Sequence, residues 1–336
     1  MSNIEFVAEM SANHLGDKGR ALAIVDAAAK AGATMLKLQC WTKNTMAINS
    51  SLRIESGPWA GRTLYDLYAE AWTPWDWFPD IMDRCASHSI ECFASAFDLG
   101  AVSFLESLNV KRHKVSSFEL VDDELVRACA LTGKPLILST GMATFPEIRH
   151  AVSEAEDMGL RTLENLTLLR CVSAYPSLSH EAGLGALAYL DGYYECNVGI
   201  SDHTKGNAVS IAASVLGASM IERHLTLARA DGGPDAGFSL EPHEFAAMVR
   251  DCNNATAASR GAEIAPRDSE RSQISLRRSL WWARDLPEGQ MVMRTDITSA
   301  RPAAGLSCSK LNYVVGSKLR KPVRAGEPVK YGEFER

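Results

Sequence analysis

The sequence predicts a (β/α)8 barrel of about 260 residues followed by a small β-rich domain. Three observations predict it. Short β-rich runs alternate with helical periodicity eight times. Polar and ionisable residues collect at the same end of nearly every predicted strand. The alternation then stops near residue 260 and gives way to a charged stretch and short strand-like pieces.

The predicted strands lie at 4–9, 34–39, 90–95, 111–116, 135–139, 166–171, 196–201 and 219–224. Helical patterns follow at 17–31, 74–88, 98–108, 122–132, 144–158, 184–192, 205–217 and 241–259. In the first helix Ala21, Ile24, Val25, Ala28 and Ala31 fall on one face, and Gly32 supplies a stop. The helix at 144–158 opens with Thr144 and Glu147, the spacing of a capping box. A doubly wound open sheet is the competing architecture, because alternation alone does not demand closure. The first strand lacks a following G-x-G-x-x-G, which weakens a dinucleotide-binding reading.

The connection from Cys40 to Thr73 is unusually long and carries Trp41, Trp59, Tyr65, Tyr68 and Trp72. It reads as a lid or substrate wall, or equally as a surface helix with packing aromatics. The organisation is therefore a barrel over 1–260, a linker over 261–278 rich in Arg, Ser and Glu, and a small domain over 279–336. That last part holds a short internal repeat. Gly289 is followed seven residues later by Asp296, and Gly326 seven residues later by Glu333.

The chain has 336 residues, 35 Lys+Arg against 41 Asp+Glu, and a formal charge of −6. Apolar residues make up 46% and charged residues 23%, which excludes global disorder, collagen and a coiled-coil rod. The negative balance argues against nucleic acid as a partner. The N-terminal MSNIEFVAEM has neither the basic nor the apolar region of a signal peptide. The longest uncharged run, Gly206–Ile221, is too short and too polar to span a bilayer, so no membrane is expected. The eight cysteines are scattered without a C-x-x-C pair, as expected of buried, reduced thiols in a cytoplasmic protein.

A barrel site is built at the C-terminal ends of the strands. Standing there are Glu9, then Lys37 and Gln39, then Lys114, Ser117 and Glu119. Further along are Ser139, then Ser173 and Tyr175, then Ser201 and His203, then Glu222 and His224. Taken singly, each has a structural explanation: a strand lysine usually snorkels, and a lone histidine is usually a hydrogen-bonded core residue. Their common position at one end is what a purely structural barrel does not require. Two lysines with several hydroxyls suit a phosphate and a carboxylate together. Two neutral imidazoles on neighbouring strands suit a divalent metal with open positions, acting as a Lewis acid on a carbonyl. Glu9 and Glu119 suit acid–base work. A competing use of Lys114 is a Schiff base. A third reading is a non-catalytic carbohydrate-binding protein.

The runs AEMSANH, LKLQ, HKVSSFE, LILSTGMAT, LLRCVSAYP, VGISDHTKG, IERHLTLARADGGPDAGFSLEP, RRSL and ARP resemble, in order, the motif series of the sialic acid synthase family. The resemblance covers almost the whole chain, and its last part is similar to the antifreeze-like (SAF, β-clip) domain of those enzymes. Within the family, SANHLGD and the segment Ser56–Phe78 resemble the branch that makes pseudaminic acid.

The resemblance implies condensation of phosphoenolpyruvate with an N-acylated amino sugar. C3 of phosphoenolpyruvate attacks the aldehyde of the open-chain sugar, water adds at C2, and phosphate leaves by C–O cleavage. It implies that His203 and His224 hold a divalent cation, Mn2+ first, with Mg2+ or Co2+ as alternatives. Lys37, Lys114, Ser117, Ser139, Ser173 and Ser201 would bind phosphoenolpyruvate, while Gln39, Tyr175 and Asp235 would contact the sugar. Glu9 and Glu119 would position or activate groups near the reacting carbons. Arg301 would reach the N-acyl sugar of a partner subunit in a domain-swapped homodimer. Ser173 departs from the family pattern, which tends to place Asn there.

Overall fold

The computed structural model describes residues 4–160, 162–261 and 264–335. It divides into two compact units, Met1–Arg260 and Gly261–Arg336. The outer ends of the spans expected for the barrel and the small domain, at Met1–Asn3 and Arg336, lie outside the described residues.

The first unit is a closed barrel of eight parallel strands in sequence order. They are β1 (Glu5–Glu9), β2 (Met35–Cys40), β3 (Glu91–Ala96), β4 (His113–Val115), β5 (Leu136–Ser139), β6 (Leu166–Cys171), β7 (Asn197–Ser201) and β8 (Met220–His224). Each predicted strand is present within two residues. Pairing of β1 with β8 brings Glu9 opposite His224 and closes the ring. The open-sheet alternative is thereby excluded.

Among the described residues ten helices accompany the strands: α1 (Lys18–Lys30), α2 (Lys43–Met46), α3 (Leu64–Ala71), α4 (Phe78–Ser87), α5 (Leu99–Ser107), α6 (Asp123–Leu131), α7 (Phe145–Asp157), α8 (Gly185–Tyr194), α9 (Ala208–Val215) and α10 (Pro242–Ser259). The predicted stripe of α1 is buried at Ala21, Ile24, Val25 and Ala28. Its start is capped by Asp17, which accepts from Arg20 N at 2.9 Å. The capping box of α7 forms as the spacing predicts, with Thr144 N donating to Glu147 Oε2 at 2.7 Å. Among the described residues no helix is long and apolar enough to cross a membrane.

Because strand side chains alternate, residues two apart share a face. On the inner face this alternation produces three levels. At the N-terminal ends Arg112 binds Glu91 at 2.7 Å and Glu5 at 3.1 Å. Above them Val7, Met35, Phe93, Ile137, Leu169 and Met220 form a buried apolar cluster. Two residues further on stand Glu9, Lys37, Ser95, Ser139, Cys171 and Glu222, all buried. The apolar level is a plug, so the ionisable level above it has solvent access only from the C-terminal end. Gly199 belongs to the plug level of β7. A Cβ there would lie 2.4 Å from Met220 O and 2.8 Å from Leu169 Cδ2, so β7 and β8 approach as only glycine permits.

The long connection between β2 and α4 contains two short helices, α2 and α3. Trp41 is buried and meets Tyr68 edge-on, with ring centroids 5.0 Å apart. Trp59 instead meets Tyr175, with ring centroids 5.5 Å apart.

The second unit has β9 (Ser279–Trp282) paired antiparallel with β10 (Ile297–Ala300). It also holds a short helix α11 (Leu311–Val314) and the pair β11 (Lys318–Leu319) and β12 (Phe334–Glu335). Its core includes Leu280, Trp282, Val292, Ile297, Val314 and Val329. The internal repeat is physical. Gly289 and Gly326 both have positive φ, at 79° and 81°. Asp296 accepts from Met293 N at 2.8 Å, and Glu333 accepts from Lys330 N at 2.9 Å. Each copy is thus a glycine turn followed by a carboxylate that caps the backbone three residues before it. Within the span read as a linker, 261–278, Asp268–Leu276 forms 3-10 turns with no buried residue. Ala262 and Glu263, in that same span, lie outside the described residues.

Gly199→Ala is expected to cost about 1–3 kcal/mol, because the added methyl has no space between β7 and β8. Urea unfolding followed by circular dichroism measures it, and an unchanged midpoint would show that the two strands can move apart.

Candidate active site

The ionisable level of the barrel is organised around Lys37. Its Nζ lies 2.8 Å from Glu222 Oε1 and 3.2 Å from Glu9 Oε2, with all three side chains almost completely buried. Glu222 Oε1 also accepts from Ser201 Oγ at 2.9 Å. Glu9 Oε1 accepts from Gln39 Nε2 at 3.0 Å, and Gln39 Oε1 accepts from Trp41 Nε1 at 3.2 Å. Lys37 is therefore not a free cation, as a simple basic pocket would have it; two carboxylates balance it. Glu222 was visible at a strand end, but its pairing with Lys37 depends on three-dimensional register, which the sequence does not display.

The electrostatics of the cluster follow from this pairing. Burial lowers the Lys37 pKa, but the attraction of Glu222 and Glu9 outweighs it and raises the net value above the ordinary one. Glu222 is driven the other way by burial, yet Lys37 and then Lys114 bring it down to about 2. Glu9 is raised to about 7 by burial, with Lys37 opposing and Glu222 adding to the rise. One carboxylate thus carries the charge that answers Lys37, and the other titrates near neutrality.

Lys114 stands differently. Its Nζ donates to Ser139 Oγ at 2.6 Å and to Val115 O at 3.0 Å, both neutral acceptors. Burial, then the repulsion of Lys37, pushes it down to about 8. Glu119 follows in the turn after β4, with Oε2 buried and without a hydrogen-bond partner. Burial raises it to about 7 against the pull of Lys114.

The serines converge beside these groups. Ser117 Oγ accepts from Gly141 N at 3.1 Å. A Cβ on Gly141 would lie 2.2 Å from Ser173 Oγ and 2.7 Å from Ser117 Oγ, so glycine is what lets both hydroxyls reach one point. Ser173 Oγ lies 3.8 Å from Cys171 Sγ, which in turn lies 3.9 Å from His203 Nδ1. One of the cysteines expected to be purely structural is thus a neighbour of the site. All eight are free thiols.

The ring centroids of His203 and His224 are 5.4 Å apart. His203 Nδ1 donates to Val172 O at 3.1 Å, which leaves its Nε2 as the lone-pair atom. Burial, then the neighbouring His203 and Lys37, holds His224 far below the ordinary value and keeps it neutral. His224 Nδ1 and Glu222 Oε2 are buried without hydrogen-bond partners. Burial lowers the His203 value, but Cys171 and the Val172 carbonyl outweigh it and leave it raised. Two neighbouring imidazoles, with a buried unpaired nitrogen on His224 and a buried unpaired carboxylate oxygen on Glu222, fit a divalent cation that would displace any His203 proton.

Aromatic side chains wall the histidines. Tyr175 lies 4.4 Å from His203, and Phe238 lies 5.0 Å from His224, centroid to centroid. Trp59, from the long connection, meets Tyr175 at 5.5 Å and ties its Nε1 to Pro234 O at 2.9 Å. Asp235 is buried, and its Oδ2 accepts from Ser11 Oγ at 2.5 Å and Ala12 N at 3.2 Å. Burial raises its pKa against the Ser11 hydrogen bond. Every barrel residue expected at the site therefore stands at this mouth. Arg301 belongs to the second unit, where it is exposed.

A separate group able to hold a divalent ion lies on α6 and α7, where ligand atoms of Asp123, His150 and Glu154 are within 4.8 Å of one another. There His150 Nε2 is 3.0 Å from each Asp123 carboxylate oxygen, and Arg127 pairs with Glu154.

Residues 24–263 match the NeuB family, and residues 277–335 match the SAF domain. The chain is 35% identical to pseudaminic acid synthase of Helicobacter pylori, over 99% of this chain and 98% of that protein. It is 31% identical to N,N'-diacetyllegionaminic acid synthase of Legionella pneumophila, over 98% and 94% of the two chains. The crystal structure of N-acetylneuraminic acid synthetase from Leptospira borgpetersenii superposes with a TM-score of 0.72 at 30% identity, covering 81% of this chain and 90% of that one.

The raised Glu119 carboxyl makes a signed prediction. The folded protein keeps this proton up to about 7, whereas the unfolded chain releases it near the ordinary 4.5. Its contribution to stability is therefore full below about 4.5 and declines as pH rises to about 7. Glu119→Gln should leave the thermal midpoint unchanged at pH 4.5 and raise it at pH 8, by about 1–3 kcal/mol of stability. Calorimetry at the two pH values checks it, and equal effects at both would contradict the assignment.

Proposed function

The chain belongs to the NeuB family and carries a SAF domain, and from that premise we propose that it condenses phosphoenolpyruvate with 2,4-diacetamido-2,4,6-trideoxy-altropyranose, giving pseudaminic acid and phosphate. The observation that carries the choice of sugar is the near-full-length similarity to pseudaminic acid synthase. Legionaminic and N-acetylneuraminic precursors are the alternatives, since synthases for both also match.

The chemistry of the mouth supports a doubly anionic substrate meeting a carbonyl. Lys114, with only neutral partners, is the cation that offers its charge directly to a phosphate or carboxylate. The Ser117, Ser139 and Ser173 hydroxyls lie beside it or beside each other and orient the anion's oxygens. Lys37 contributes its charge as Glu9 takes up a proton, and a carboxyl poised near 7 makes that uptake easy. Substrate binding is then coupled to protonation of Glu9. Glu119, also poised near 7, gives or takes a proton near the reacting carbons.

His203 and His224 would hold a divalent cation, with manganese the proposed ion, which when bound supplies Lewis-acid polarisation of the sugar aldehyde. Tyr175, Gln39 and Asp235 line the space left for the sugar, and Trp59 closes it from the side. Arg301 is proposed to serve the site of a second copy in a domain-swapped homodimer, a role that rests on the family resemblance alone. A cytoplasmic location is proposed on the same footing.

Lys114 favours a second reading, because a lysine lowered to about 8 is also what a Schiff-base enzyme needs. Its two hydrogen-bond acceptors instead hold it as a charged donor. Borohydride with pyruvate should yield no covalent adduct; a Lys114 adduct would establish the aldolase.

Phosphate release should be seen with phosphoenolpyruvate and the trideoxy sugar, and far less with N-acetylmannosamine. Oxygen label in the bridging position of phosphoenolpyruvate should leave with phosphate. Preference for the hexose would transfer the assignment to the N-acetylneuraminate branch, and label retained in the sugar would overturn C–O cleavage.

A further inference from the structure

The residues immediately before the two histidines, Asp202 and Arg223, form an ion pair of 2.6 Å with each side chain 1% exposed. By alternation both point away from the barrel interior that His203 and His224 face. Both terminal nitrogens of the guanidinium bind the loop that carries His203. Nη1 donates to Asp202 Oδ2 at 2.6 Å and to Gly206 O at 3.0 Å, and Nη2 donates to Thr204 O at 2.7 Å. Asp202 is equally committed. Its Oδ1 accepts from Thr204 N at 2.8 Å and Thr204 Oγ1 at 2.7 Å, and its Oδ2 accepts from Ser210 Oγ at 2.7 Å. The backbone completes the link, with Asp202 N donating to Glu222 O at 3.0 Å.

We infer that Asp202 and Arg223 are positioning residues that fix the separation of His203 and His224, and thereby set the affinity of the site for a divalent cation. This rests on the reading of His203 and His224 as the metal ligands. A purely structural pair would be equally served anywhere between β7, β8 and the helices outside them. Here each partner is one peptide bond from a proposed ligand, and the guanidinium wraps the loop 202–206 onto the strand that carries the other ligand. The geometry requires arginine in particular. Three acceptors around one side chain need a planar fork, and a lysine ammonium in the same volume reaches at most part of the set.

The test is Mn2+ affinity of the purified, metal-stripped full chain, carrying His150→Ala throughout to remove the separate group on α6 and α7, read by electron paramagnetic resonance of free Mn2+ without substrate. Arg223→Lys keeps the charge and breaks the fork, and is expected to weaken Mn2+ binding roughly tenfold or more, as loss of groups that orient metal ligands does. Phosphoenolpyruvate binding without metal, followed by calorimetry, should change less than twofold in the same variant. Ser210→Ala, which removes one hydrogen bond to Asp202, is expected to weaken Mn2+ by a smaller factor. It decides by the same criterion if the lysine variant does not fold. Mn2+ affinity within twofold of the parent in a folded variant, while His203→Ala abolishes binding, would overturn the positioning role and leave the ligand assignment intact. Unchanged Mn2+ binding in His203→Ala would overturn the ligand assignment, and this inference with it.

Discussion

A buried ammonium held between two carboxylates spans the seam where the barrel closes. Glu222, Glu9 and Lys37 come from β8, β1 and β2, three strands that are neighbours only because the ring is complete. Removing charges from water costs several kcal/mol each, and the cost is offset only when geometry is good and the remaining valences are satisfied. Lys37 has the geometry, with carboxylate contacts at 2.8 and 3.2 Å, and Ser201 and Gln39 each bond one carboxylate oxygen, while Glu222 Oε2 is left without a partner. The arrangement is not neutral overall when both acids are ionised. Burial settles the imbalance by lifting Glu9 to about 7 while Glu222 stays charged. A proton-accepting group at the mouth is therefore a consequence of closing a barrel over one lysine and two glutamates.

The same constraint separates the two lysines. Both stand on inner faces at the same end of the barrel, and in the sequence they look alike. Lys37 is surrounded by opposite charge and held protonated. Lys114 sees a serine, a carbonyl and the repulsion of Lys37, and its hold on the proton weakens. An incoming anion strengthens that hold. One cation is thus paired with carboxylates and the other has only neutral hydrogen-bond partners, a difference that a count of basic residues conceals.

Much of this is legible in the sequence. Strand positions follow from β-rich runs, and inner-face identity follows from counting by two, so Val7 and Glu9, or Met220, Glu222 and His224, could be read as successive levels. The helix stripe of α1 and the capping box at Thr144 and Glu147 rest on local chemistry and appear as predicted. What escaped depends on register and on approach between distant segments. Trp59 reaches Tyr175 across the mouth from a connection whose path no periodicity constrains. Gly141 matters because two serines from different loops converge on it, a fact about space rather than pattern. Cys171 sits among apolar residues in the sequence, yet its strand end places it beside His203.

Counting by two also explains why the histidine-bearing ends of β7 and β8 can be rigid without being crowded. Along β8, Glu222 faces inward, Arg223 outward and His224 inward; after β7, Ser201 faces inward, Asp202 outward and His203 inward. Each face carries its own ion pair, Lys37 with Glu222 inside and Asp202 with Arg223 outside. A fully hydrogen-bonded buried pair tolerates little displacement, because any movement exposes an unpaired charge to a medium that cannot solvate it. The outer pair therefore restrains the backbone from one side, and the Lys37–Glu222 contact adds to that restraint from the other. The inward side keeps an unpaired carboxylate oxygen on Glu222 and an unpaired imidazole nitrogen on His224, while the outward side leaves neither Asp202 nor the Arg223 fork without a partner. Unpaired donor atoms are affordable inside because the neighbouring backbone is locked from outside. The alternation that builds the core thus separates the two faces at the strand ends, with unpaired polar atoms on the inner one and an ion pair bonded through both carboxylate oxygens on the outer one.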